Sequence, residues 1–107
     1  MTTARFDELI HAPLRLRICA ILAAVDTAAF STVKTMLGVS DSVVSKHVAA
    51  LESADYLVVR KHTVLSRVQT SLALTPAGRA ALRGHLAALH EIAELASPAG
   101  RGVRRAH

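Results

Sequence analysis

Two short helical patterns meet at Gly38, and their junction restricts this chain more than any other stretch. Ser31 is a residue type that opens helices, and Val33, Met36 and Leu37 follow it at helical spacing. Gly38 tolerates the left-handed backbone that ends such a helix. Val39 is apolar and suits the corner between two helices, while Ser40 or Asp41 caps the second. That second helix turns Val44, Val48 and Leu51 inward, four and then three residues apart. Its other face carries Ser42, Val43, Ser45, Lys46 and His47. The stretch to Tyr56 therefore reads as a tight helical hairpin with one polar side left for something else.

The rest of the chain gives the hairpin a setting. Arg5 to Ile10 forms a short apolar-faced pattern through Phe6, Leu9 and Ile10, and Pro13 opens a helix to about Val25. Leu14, Ile18, Ile21, Leu22 and Val25 share its main face. Leu16 lies off that face, so either the helix is buried on two sides or a second apolar surface meets another element or another chain. Ala28 to Phe30 suits a very short strand. Tyr56 to His62 and Val68 to Leu74 read as a strand pair around a projecting loop, Thr63 to Arg67, with Leu57, Val59, Leu72 and Leu74 inward. Thr75 and Pro76 then start a long helix to about Ala96, striped by Leu82, Leu86, Leu89, Ala93 and Ala96 and widened by Ile92 and Leu95. So much apolar surface on one helix favours a partner helix.

The expected fold class is mainly α with a small antiparallel β-hairpin, in one domain over residues 1–96. From Ser97 the sequence turns to Gly, Pro and Arg, and residues 97–107 read as a disordered basic tail. Only 3% of residues are aromatic, against 51% hydrophobic, which favours aliphatic packing between helices over a sandwich or barrel. A formal charge of +5 suits a phosphate polymer without demanding one.

Other chemistry has little support. Single Cys19 sits among apolar helical neighbours and is expected to be buried. No Gly-rich phosphate loop, Cys/His dyad or apolar carboxylate pair is present, so no catalytic residues are expected. His85, His90, Glu91 and Glu94 cluster on the last helix, and His90 with Glu94 has one-turn spacing, yet a solvated helix edge is the better reading and no metal or other cofactor is expected. No secretory leader or membrane-length apolar run is seen, so a cytoplasmic location without membrane contact is expected.

Motifs in the second half tie these elements together. Leu-Gly-Val-Ser from Leu37, Ser-x-x-Ser-Lys-His-Val from Ser42, Ala-Leu-Glu from Ala50, Tyr-Leu at Tyr56 and Leu-Thr-Pro-Ala-Gly-Arg from Leu74 occur in that order. In combination they resemble small bacterial MarR- and ArsR-like regulators of the winged helix-turn-helix type, over about Pro13 to Leu95. The resemblance implies a sequence-specific transcriptional regulator, a repressor in the usual case, binding double-stranded DNA as a homodimer at an inverted repeat. It places Ser42, Val43, Ser45, Lys46 and His47 toward the major groove, Arg67 at the wing tip near the minor groove, and Arg60 and Lys61 on backbone phosphates. His47 is equally readable as a packing residue. Lys34, Arg79 and Arg83 would add at most nonspecific charge. Phe6, Leu9, Ile10, Leu86, Leu89, Ile92 and Leu95 would form the dimer interface.

Such wings often carry more basic, Gly or Pro residues than Thr63, Val64, Leu65 and Ser66 provide. The alternatives are a winged-helix module that contacts only proteins, or an ArsR-type metal-responsive regulator. No polar constellation identifies a small-molecule effector.

Overall fold

In a computed structural model, residues 2–98 are described. The basic tail expected from Ser97 lies outside that range, apart from Ser97 and Pro98. The elements run α1 (Glu8–His11), α2 (Pro13–Ala23), β1 (Ala28–Ala29), α3 (Phe30–Leu37), α4 (Asp41–Ser53), β2 (Leu57–Val64), β3 (Arg67–Leu74) and α5 (Pro76–Ala96). The three strands form one antiparallel sheet in the order β1-β3-β2. This is the winged helix arrangement.

Local chemistry sets most boundaries. Asp7 caps α1 by accepting from the Ile10 amide at 3.0 Å, so the first helix starts later than the apolar pattern suggested. Gly38 ends α3 at φ 70, a left-handed conformation that spares glycine the Cβ clash. Ser40 caps α4, accepting from the Val43 amide at 3.3 Å, and Thr75 caps α5 through the Gly78 amide at 2.9 Å. Ser31 does not cap α3. Ala29 stands at that position with no side-chain bond, because β1 pairs with β3 through Ala28 and Ala29 and feeds directly into Phe30.

The core gathers one face from nearly every element. Ile10, Ile18, Cys19, Leu22, Val33, Leu37, Val44, Val48, Leu51, Leu57, Leu72, Leu74 and Leu82 form one buried cluster. Burying each Leu or Ile stabilises by about 1.5 to 3 kcal/mol. Leu57 pairs with Leu74 and Val59 with Leu72, so the expected inward set shares one side of the sheet. Leu16 packs against this cluster too, which makes α2 a helix buried on two sides. Cys19 is fully buried, and burial, reinforced by the Asp7 charge, pushes its thiol up to about 11.

Two expectations need correction. Ile10 is fully buried inside the protomer, so its own core, not a second copy, covers it. His85 is not part of a solvated edge: it is fully buried between α5 and the N-terminal segment. Its Nδ1 accepts the Asp7 amide at 2.9 Å, its Nε2 lies 3.2 Å from His11 Nδ1, and Phe6 packs edge-on against its ring. His90 and Glu94, by contrast, stay exposed at 3.7 Å from each other.

Candidate nucleic-acid interface

The side of α4 away from the core presents Ser42, Ser45 and Lys46, all exposed. Core packing of Val44, Val48 and Leu51 fixes that orientation, because helical residues three and four apart share a face. Ser40 Oγ lies 3.2 Å from Ser42 Oγ, which ties the cap to the first exposed hydroxyl. Lys34 on α3 reaches across the turn to Asp41 at 2.8 Å, so this cation is paired with an acid. Both groups are well exposed, and their attraction is worth at most about 1 kcal/mol.

Val43 and His47 flank this row and are half-buried. Arg15 Nη1 lies 3.2 Å from His47 Nδ1, and Arg15 Nε donates to the Leu9 carbonyl. A guanidinium has no acceptor atom, so Nδ1 must accept and the neutral ring keeps its proton on Nε2. Burial lowers the His47 pKa, and the cations Arg15 and Lys46 lower it further. His47 is thus held against Arg15 of α2 and retains one ring N–H donor.

The hairpin is longer and tighter than expected. Val64 pairs with Arg67, leaving Leu65 and Ser66 as a two-residue turn with φ 52 and 66. Thr63, Val64 and Arg67, expected in the loop, instead extend the ladder, as β-branched Thr63 and Val64 favour. Arg67 is therefore the first residue of β3, beside the turn and exposed, and not a loop-tip residue.

Strand alternation also separates two cations that the sequence placed together. Lys61 lies on the sheet face of Leu57 and Val59, and with Ser45, Ala49 and Glu52 of α4 it lines a groove of about 360 Å³. Arg60 lies on the opposite face, beside Asp26, Thr27 and Ser71. Cross-strand pairing puts Arg67 on the Arg60 face. Lys61 alone among these cations shares a groove with α4. Arg60 and Lys61 cannot both face it.

Several structural roles fall on residues whose type gave no warning. Arg79 donates to the carbonyls of Ala23 at 3.1 Å and Val25 at 2.7 Å, so its charge ties α5 to the end of α2. Tyr56 donates to Asp7 Oδ2 at 2.7 Å, fixing the N-terminal segment to the end of the helical hairpin. Sequence spacing cannot reveal such long-range bonds, since each joins residues about fifty positions apart. Among the described residues no cluster of three or more His, Cys, Asp or Glu could hold a metal ion.

Comparison with known proteins agrees with this geometry. Residues 14–93 match the family described as winged helix DNA-binding domain. An uncharacterized protein of Methanocaldococcus jannaschii, MJ0432, is 25% identical over 88 residues, which span 82% of this chain and 92% of that protein. The structure is similar to that of a transcriptional regulator homologue from Pyrococcus horikoshii OT3, with a TM-score of 0.79, 21% identity, and 85% and 90% of the two chains covered. It is also similar to the transcriptional repressor BigR from Xylella fastidiosa, with a TM-score of 0.61, 18% identity and 81% of each chain covered. At these identities the two structures speak for the fold alone.

Proposed function

We propose that this chain, which belongs to the winged helix DNA-binding domain family, is a DNA-binding transcriptional regulator and not an enzyme, acting as a cytoplasmic homodimer on an inverted-repeat operator. In each protomer α4 enters the major groove. Ser42 and Ser45 offer short hydroxyls to base edges or phosphates, Lys46 offers a cation to guanine or phosphate, and His47 offers its Nε2–H. Val43 contributes an apolar contact of the kind a thymine methyl accepts. The hairpin lies alongside, with Lys61 and Arg67 toward the backbone and minor groove.

The observation that carries this reading is the exposed row Ser42, Ser45 and Lys46 beside a hairpin without acids. From Leu57 to Leu74 the chain holds Arg60, Lys61, His62 and Arg67 but neither Asp nor Glu. Repression, by occlusion of the promoter, is the mode we assign. No helix among the described residues is long and apolar enough to cross a membrane. For the dimer, Ile92 and Leu95 remain 51% and 65% exposed on α5 with Phe6 beside them, which supports a second copy covering this face; Leu86, 46% exposed, lies on another side of the same helix. Leu89 and Leu9, half-buried, would flank it.

The test is binding to duplex DNA across a salt series. We expect a steep decline of affinity with salt, and Lys46→Ala to weaken binding on all sequences while reducing the logarithmic slope by about one. Undetectable binding of the wild-type chain at low salt would refute the proposal.

A further inference from the structure

The distal end of the hairpin is an apolar point framed by cations. Burial fades along β2 from Leu57 outward, and the strand runs seven residues on to Val64, a reach of about 23 Å at the usual rise. At the end Leu65 is 93% exposed, Val68 70% and Val64 41%. Leu65 and Ser66 both hold positive φ, a combination that two-residue hairpin turns normally give to Asn or Gly. A branched, apolar side chain is thus held in a disfavoured backbone conformation and turned out to solvent. Arg67 flanks the tip on one sheet face, which it shares with His62 and Arg60 further back, while Lys61 lies on the other face three residues before Val64, and the hairpin carries no acid to repel a polyanion.

We propose that Leu65 is a minor-groove probe, entering between the phosphate rims that Arg67 and Lys61 contact and selecting sites for deformability. The inference rests on the DNA-binding reading above and specifies what the hairpin does within it. A minor groove combines what this surface matches: anionic rims about 6 Å apart, and a floor of sugar and base edges against which an apolar side chain can pack. Leucine has no hydrogen bond to offer there, so it cannot read base identity directly. It can wedge against a base step, and pyrimidine–purine steps open most readily. The wing therefore adds a preference for a flexible step outside the segment read by α4.

The experiment uses the full chain, Leu65→Asn and Leu65→Met, with labelled duplexes enriched from a random-sequence pool by the wild-type protein. Asn accepts positive φ, so its variant keeps the turn, while Met keeps the apolar contact. We expect Leu65→Asn to lose about tenfold in affinity with an unchanged salt slope, and Leu65→Met to stay near wild type. Pools enriched by Leu65→Asn should lose the flanking pyrimidine–purine step. Equal affinity and an identical selected sequence for Leu65→Asn would overturn this inference and leave the DNA-binding reading intact. Loss of self-association in Leu65→Asn without change in DNA affinity would also overturn it, assigning the tip to protein contact. Failure of the wild-type chain to bind any duplex would overturn both readings.

Discussion

His85 shows how much of this structure depends on a single ring nitrogen. Its Nδ1 accepts the Asp7 amide, so the neutral ring carries its proton on Nε2, facing His11. A second proton would set N–H against N–H at Asp7. Burial lowers the His85 pKa, as does His11, against the raising pull of Asp7 and Glu8. Since the folded state binds this proton less readily than the unfolded chain, the stability it supports is complete above about pH 6.5 and declines as pH falls below that value. Burial also pushes the Asp7 carboxyl up, but hydrogen bonds from Tyr56, Ile10 and Leu9 outweigh it and leave the pKa lowered, so its own loss belongs to much more acidic solution. His85→Asn keeps an acceptor near Nδ1 without a titrating ring. The melting temperature of this variant should vary less than wild type as pH falls below about 6.5, as read by circular dichroism. Spacing along α5 could not reveal any of this, because the partners Phe6, Asp7 and His11 lie at the other end of the chain. Arg79 eluded the sequence for the same reason: two backbone carbonyls, which any residue type can present, decide its role.

At the scale of elements, the joint between β2 and α5 holds the hairpin against the helical body. Thr75 donates its amide to the Tyr56 carbonyl at 3.0 Å and its hydroxyl to the Asp55 carbonyl at 2.6 Å. Gly78 passes so close to the Tyr56 backbone that an added Cβ would collide with that carbonyl. Gly78→Ala should destabilise the fold by about 2 kcal/mol or more, measured by urea unfolding, because the obstacle is backbone and not a movable side chain. Helix starts at Pro13 and at Thr75-Pro76 were legible, as was the inward register of Leu57, Val59, Leu72 and Leu74, since both follow from local residue chemistry and alternation. The hairpin turn was not. Leu65 and Ser66 lack the Gly or Asn that marks such a turn, and cross-strand pairing of Thr63 with Val68 prevailed over local preference. Arg67 consequently begins β3 beside the turn, and alternation sets Arg60 and Lys61 on opposite faces of the sheet.

The whole molecule combines an exposed polar face on α4 with an exposed apolar one on α5. Ser42, Ser45 and Lys46 lie on α4, whereas Ile92 and Leu95 lie on α5 with Phe6 alongside. Two copies joined through the second surface would present two copies of the first, related by twofold symmetry, which is the geometry an inverted repeat requires. Family and fold were legible because the order of motifs, more than any one residue, is what a winged helix imposes on a chain. The most direct measurement is selection of bound duplexes from a random-sequence pool by the full chain. Our account predicts an enriched inverted repeat whose half-site centres lie about one helical turn, roughly 34 to 36 Å, apart. Enrichment of a single unrepeated site, or of no sequence at all, would contradict it.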